Sequence, residues 1–299
     1  LKHEEKNVKP AAHPPAARGD STIAQPREVL TGLLVCQDAE GIARNAARYF
    51  IEWAWQSIAD DGRFCVALSG GKTPALFFRV MATKEFRTQV DWAKVHFFWG
   101  DERPVPPESA ESNYGLARRE LLIRVPIPPA NVHRMEAEKA NVGRAAQDYE
   151  DILRQYMALD SRGFPRFHLI MLGLGPEGHT ASLFPGQRGI RETSRWVSTP
   201  LVPQVNSRRM TLTLPVLNAA HRALFLVSGP EKAEALYAML SGTSDPPIPA
   251  QMVTLPDGQR TILCDEPAAK LVLDEIREKG RFIGTKRVTP GAKKPPPKK

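Results

Sequence analysis

From Leu33 onward, short apolar runs alternate with longer stretches in which apolar residues recur every three to four positions. The short runs predict strands at Leu33 to Cys36, Phe64 to Leu68, Val95 to Trp99, Phe167 to Leu172, Ala223 to Val227 and Thr261 to Cys264. The longer stretches predict helices. Asp38 is placed to cap one that runs through Ile58, with Ile42, Ala46, Phe50 and Trp53 near helical spacing. Another follows Ser69-Gly70-Gly71-Lys72-Thr73, with Thr73 as N-cap and Pro74 at the first helical position. Further helices are predicted at Tyr114 to Ile123, Val142 to Leu159, Pro230 to Leu240 and Pro267 to Lys279. Strands alternating with helices predict an α/β fold, a mostly parallel sheet with helices on both faces.

In such sheets ligands bind beyond the carboxyl ends of the strands. Four loops leave strand ends there, at 69–73, 100–113, 173–182 and 228–232, and they hold nearly all the unusual residues of the chain. The most informative is in FHLIMLGLGPEGHTASLFPG, where an apolar strand breaks into a loop with Gly173, Gly175, Gly178, Glu177 and His179. The glycines permit tight turns and close approach of a ligand. A histidine titrating near neutrality suits general base work, with the acid beside it as orienter. The G-x-G-x-x-G spacing also matches a dinucleotide fingerprint. That reading needs an acid about 20 residues on, where the chain has Arg191, Arg195 and Trp196.

The SGGKTP loop has the makings of a phosphate cradle, since its glycines expose N–H groups ahead of a helix N-terminus. It lacks Walker spacing. Lys232, in the first turn of a helix, opposes that helix's dipole, and Lys72 is similarly placed; a bound anion removes both conflicts. Asp101-Glu102-Arg103 puts three charges behind the apolar VHFFW. Arg103 is a candidate carboxylate clamp or carbonyl polariser, and Asp101 a candidate orienter of His179 or partner of Arg103. Ser69, Asp101 and His179 also stand in the chain order of a serine hydrolase triad, but Ala67 replaces the first glycine of the nucleophile elbow. His96 and His168, in or beside strands, read as structural.

The segments SGGKTP, VHFFWGDERPVPPESAESNYGLARRELL, PIPPANVHRM, GLGPEGHTASLFPG, RRMTLTLPVLNAA and SGPEKAEAL, in that order and spacing, resemble the 6-phosphogluconolactonases. The likeness covers about residues 33 to 275. Glucosamine-6-phosphate deaminases share the sheet and the D-G-H loop without the VPP and ASLFPG segments. The resemblance implies a Rossmann-like, glucosamine-6-phosphate deaminase-like fold. It implies hydrolysis of 6-phospho-D-glucono-1,5-lactone in the pentose phosphate pathway, without metal or organic cofactor. It implies catalytic roles for His179, Glu177, Asp101 and Arg103, and substrate or phosphate contacts from Ser69, Gly70, Gly71, Lys72, Thr73, Arg208 and Lys232. Glucose-6-phosphate dehydrogenase follows as a functional neighbour. The chain departs from the pattern with Lys72 where Ser is usual, Glu177 where Asp is usual and Gly100 where Val is frequent.

The 299 residues are 42% hydrophobic, which is ordinary for a globular protein. No apolar run approaches a membrane span, and the N-terminus lacks the apolar core of a secretory signal. The chain opens at Leu1, so an initiator or upstream segment is expected before it. The net charge is +8, and the eight basic residues from Lys279 onward, with no acid among them, equal the whole excess. A neutral domain argues against nucleic-acid binding. One α/β domain is expected at 29–279, between tails at 1–28 and 280–299 that are expected to be disordered. Cys36, Cys65 and Cys264 lie far apart in apolar runs, without the spacing of a disulfide framework or a zinc site. They point to a reducing compartment, the cytoplasm.

Overall fold

The computed structural model describes residues 27–203 and 206–282. In chain order its first elements are β1 (Arg27–Leu30), β2 (Leu33–Cys36), α1 (Ala39–Asp61), β3 (Phe64–Leu68), α2 (Lys72–Met81), α3 (Lys84–Arg87), β4 (Val95–Trp99), β5 (Asp101–Glu102), α4 (Asn113–Glu120) and α5 (Val142–Tyr156). They are followed by β6 (Leu169–Leu172), β7 (Val197–Ser198), β8 (Leu201–Val202), β9 (Ser207–Arg208), β10 (Met210–Leu212), α6 (Leu214–Ala219), β11 (Arg222–Val227), α7 (Ala233–Ser241), β12 (Gln259–Asp265) and α8 (Glu266–Lys279). Seven strands form one sheet in the order β1-β2-β12-β11-β6-β3-β4, parallel throughout except for the β1–β2 hairpin. Every residue of β3 and β6 is buried, so both faces of the sheet centre are covered. Side chains alternate between the faces of a strand, and apolar residues at every position meet that double burial.

The helices obey the pattern that predicted them, with boundary differences that have local causes. Asp38 caps α1 by accepting from Gly41 N at 2.8 Å, and the helix runs past Ile58 until Gly62 ends it with φ 71°. Its buried face carries Phe50, edge-on to Phe64 at 5.2 Å and near Phe77 and Phe97. Burial of one such ring contributes about 1.5–3 kcal/mol. Thr73 is not the N-cap of α2. Gly71, at φ 108°, takes that position and Lys72 opens the helix. Pro74 then falls at the third helical position, where its missing N–H is still one without an intrahelical acceptor. The helix expected at 114–123 gives way after Glu120 to a 3-10 turn at Leu122–Arg124. The one expected to Leu159 ends at Tyr156, because Leu159 bridges Pro165 across a turn held by Asp160. Pro230 opens a 3-10 turn at Pro230–Lys232, and α7 proper starts one residue later.

Both expected tail boundaries move. Arg27–Leu30 is already sheet. Beyond α8, Phe282 is buried edge-on against Tyr237 at 5.7 Å. The rest of both expected tails lies outside the described residues.

The amino ends of the strands hold a group of histidines. His168 Nδ1 accepts from Cys65 N at 2.8 Å, and its Nε2 lies 3.0 Å from Asp61. His133 stacks on Phe98 at 4.5 Å and sets Nε2 3.3 Å from His96 Nδ1. Burial, with His96 beside it, pulls the His133 pKa down to about 4. Burial, with Arg166 nearby, pulls His221 down to about 4 as well. Unfolded histidine titrates near 6.5. Between those values the unfolded chain binds more protons than the folded one. Stability is therefore complete above about pH 6.5 and is lost as pH falls toward 4. Urea unfolding between pH 7 and 4 is expected to show this slope. His133→Phe, which keeps a ring in the stack, is expected to reduce it by about one proton.

Candidate active site

Four adjacent strands, β11, β6, β3 and β4, deliver the four loops singled out by the sequence to one end of the sheet. The loop after β3 carries Ser69, Gly70 and Gly71 into α2. Gly70 has no alternative: a Cβ there would lie 1.7 Å from Asn113 Oδ1. Ser69 is buried, and its hydroxyl donates to Gly70 O at 3.4 Å and makes no hydrogen bond to His179. The triad that the chain order allowed as an alternative has no Ser69–His179 or Asp101–His179 hydrogen bond.

The helix starts divide into two groups. Among those of eight residues or more, α1, α4, α5 and α8 have side-chain caps from Asp38, Ser112, Asn141 and Asp265. α2 and α7 have none. Both starts present positive dipole ends; at α7 the 3-10 turn already takes the Lys232 and Ala233 N–H groups, which donate to Gly229 O and Pro230 O. Lys72 opens α2, exposed, and Lys232 is the N-cap residue of α7; neither has an ion pair among the described residues. Thr73 is the second residue of α2. Asp265 fixes the loop that carries Lys232, accepting from Ser228 Oγ at 2.6 Å and from Gly229 N, while it caps α8 through Ala268 N.

The charges behind β4 are not a surface turn. Asp101 and Glu102 form β5, which pairs antiparallel with β10, Asp101 opposite Thr211 and Glu102 opposite Met210. Glu102 is buried and accepts from the N–H groups of Arg103, Asn113 and Tyr114 and from Ser112 Oγ. It thereby anchors the start of α4. Burial raises its pKa against these bonds. Asp101, also buried, accepts from Ser182 Oγ at 2.6 Å and from Asn113 Nδ2 at 3.2 Å. It orients neither His179 nor Arg103, contrary to expectation.

The acid beside His179 is Glu177, with Oε1 3.0 Å from Nδ1. The contact is a charge contact without hydrogen-bond alignment, and Nδ1 is a buried atom with no hydrogen-bond partner. The ring stacks on Phe184 at 4.1 Å and lies against Gly175, where a Cβ would come 2.0 Å from Nδ1. The loop is closed by Gly175 N to His179 O at 2.8 Å and by Thr180 Oγ1 to Gly173 O at 2.9 Å. Ala250 N donates to Gly178 O from the segment that covers it.

Arg103 donates through its guanidinium to Glu111 O, closing the Pro-rich loop. Arg208 lies elsewhere: it is exposed, on the β8–β9 ribbon, and donates to Thr199 O at 3.0 Å. Its neighbour Arg209 is the arginine beside the acids. Its pKa is lowered by burial and by Arg103, against the pull of Asp101, Glu111 and Glu102, and its buried Nε has no hydrogen-bond partner. The signal was in the strand period. Thr211 Oγ1 accepts from Ser182 N, and alternation places Arg209 on the same side. Asn113 and Ser182 were also passed over, although both stand in motifs read as informative.

Among the described residues no group of three or more His, Cys, Asp or Glu side chains converges as a metal site, and no helix is long and apolar enough to cross a membrane. A cavity of about 520 Å3 between α4 and α5 and one of about 610 Å3 beside β8 are lined by none of His179, Asp101, Arg103 or Arg209.

Residues 37–263 match the family model described as glucosamine-6-phosphate isomerases/6-phosphogluconolactonase. A probable 6-phosphogluconolactonase 4, chloroplastic, of Oryza sativa subsp. indica is 37% identical over 249 residues, 80% of this chain and 76% of the relative. A 6-phosphogluconolactonase of Synechocystis sp. is 37% identical over 216 residues, 72% of this chain and 87% of the relative. The solved 6-phosphogluconolactonase of Trypanosoma brucei superposes with a TM-score of 0.75 at 26% identity, covering 81% of this chain and 99% of that one.

Glu102→Gln tests the anchor under α4. It turns an accepting oxygen into a donor facing N–H groups, and each buried group left unpaired costs about 1–3 kcal/mol. Denaturant melts are expected to show that loss. Hydrogen exchange is expected to quicken first at the Asn113 and Tyr114 amides.

Proposed function

The chain belongs to the glucosamine-6-phosphate isomerase/6-phosphogluconolactonase family, and on that premise we propose that it hydrolyses 6-phospho-D-glucono-1,5-lactone to 6-phospho-D-gluconate. Named relatives at 37% identity support this over a deaminase. The observation that carries the reading is the junction at Asp101. It ties Ser182 of the histidine loop to Asn113, which leans on Gly70, and Arg209, whose buried Nε has no hydrogen-bond partner, stands in the same electrostatic neighbourhood.

In the proposed reaction His179 Nε2 takes a proton from water as the oxygen attacks the lactone carbonyl. Glu177, 3.0 Å from Nδ1, stabilises the imidazolium that forms. Arg209 and Arg103 supply positive charge for the developing oxyanion or for another anionic group of the substrate. Collapse of the tetrahedral intermediate breaks the bond to the ring oxygen, which leaves as an alcohol with the proton from the imidazolium. The carboxylic acid so formed is the lactone plus one water, and it releases a proton to solvent to become the carboxylate. The phosphate sits between the uncapped starts of α2 and α7, held by Gly70 and Gly71 N–H groups, Thr73, Lys72 and Lys232. Binding so far from the reacting carbon orients the ring. Neither step draws on a metal or an organic cofactor.

A single catalytic domain that includes β1 and Phe282 goes with this reading. So does a neighbouring dehydrogenase that forms the lactone from glucose 6-phosphate. Burial pushes the thiol pKa of Cys36 up to about 11 and of Cys65 up to about 12, which suits unreactive thiols in a reducing compartment such as the cytoplasm.

His179→Ala is expected to lower kcat by about 10²–10⁴-fold, the usual worth of a general base. Ser69→Ala is expected to stay within about tenfold of the parent. Equal losses, or an acyl group trapped on Ser69, would favour a serine nucleophile instead. Lys232→Ala separates phosphate binding from chemistry. Loss of one charge-assisted hydrogen bond, about 1.5–3 kcal/mol, predicts a 10- to 150-fold drop in kcat/KM for the phosphorylated lactone. Unphosphorylated gluconolactone is expected to lose little. Equal losses on both substrates would remove Lys232 from the phosphate site.

A further inference from the structure

The cavity of about 610 Å3 beside β8 has the size of a small-molecule site. One wall is the turn that follows the histidine loop, with Gln187, Arg188 and Glu192; the other is the arm that carries Arg195 and Ser198. Gln187 is only 8% exposed, yet neither its amide oxygen nor its amide nitrogen has a partner among the described residues. Ser198 Oγ is buried and unpaired in the same wall. Native folds keep few such groups, because leaving them unmet is destabilising.

The wall's chemistry narrows the ligand. An amide offers a donor and an acceptor side by side, and a serine hydroxyl offers both, a set that matches neighbouring hydroxyls of a polyol. Arg188 and Arg195 are exposed on the rim, and neither has an ion pair among the described residues. Glu192 in the same wall is an ionised carboxylate, so the three side chains together leave a net single positive charge at the cavity. Its Oε1 is taken by the N–H groups of Arg195 and Ser194 and by the Ser194 hydroxyl, which pull its pKa down to about 2. The site also backs onto the histidine loop: Gln187 N donates to Phe184 O at 3.2 Å, and Phe184 stacks on His179.

We propose that this cavity is a second ligand site, separate from the catalytic residues, for a polyhydroxylated anion of the sugar-acid class. Rotation of the Gln187 side chain turns its amide onto the ligand hydroxyls, Ser198 adds a third polar contact, and the two rim arginines take the negative group.

Calorimetric titration with 6-phosphogluconate and with gluconate tests it on the full chain, alongside Gln187→Leu and Lys232→Ala. The parent is expected to bind two molecules of 6-phosphogluconate, and Gln187→Leu to weaken one of them at least about tenfold. Lys232→Ala is expected to weaken the other, so failure of the lactonase reading would show there and leave the Gln187-dependent binding in place. Gluconate held in a Gln187-dependent way assigns the carboxylate to the rim, whereas binding of 6-phosphogluconate alone assigns the phosphate; both support the site. Gln187→Leu removes an unmet polar group and is expected to melt no lower than the parent without ligand, with lactone kcat unchanged. If it fails to fold, Ser198→Ala takes its place. A single bound molecule per chain, or two that survive the substitution, would overturn the proposal.

Discussion

Asp101 is the point on which the site depends. It is a buried carboxylate at the end of β4, and it accepts from Ser182 of the histidine loop and from Asn113 at the start of α4. Asn113 in turn rests on Gly70, so one side chain fixes the relation of three loops. A buried carboxylate without partners is strongly unfavourable, while one with fixed partners tolerates little displacement. Glu102 supplies the matching constraint one residue on, with three donors at the α4 start and a fourth from Arg103 N.

These two acids set where positive charge is left over. Arg103 is engaged by Glu111 O, while Arg209 lies nearby with a buried, unpaired Nε. After β3, beside β4, and after β11, on the far side of β6, α2 and α7 begin without side-chain caps and carry Lys72 and Lys232. The folded chain therefore holds unmet donors and unpaired cations around the strand ends, where an anionic substrate meets them. Asp265 does for the β11 loop what Asp101 does for the β4 loop, holding Ser228 and Gly229 while capping α8.

Much of the fold was legible. The six predicted strands all occur, in parallel pairing, because β3, β6 and β11 bury nearly every residue and must be continuously apolar. The antiparallel additions were not legible. β5, β7 and β10 are two or three residues long, too short for any period to show. For the same reason the sequence points to Arg208 and not to Arg209: a one-residue shift turns a side chain to the opposite face. The β5–β10 register that decides it is a contact between residues more than a hundred positions apart.

What the sequence by itself determined was the layered α/β architecture, the four loops at the strand ends and the kinds of side chain they bring. These follow from local periods and from turn residues whose preferences act over a few positions. Tertiary structure decided the partners. Glu177 and not Asp101 stands beside His179, Asp101 belongs to Asn113 and Ser182, and Phe282 packs as core against Tyr237. The Asp101 contacts depend on which strand ends become neighbours in the sheet and how far a short side chain reaches between them. Those distances exist only once the sheet has formed.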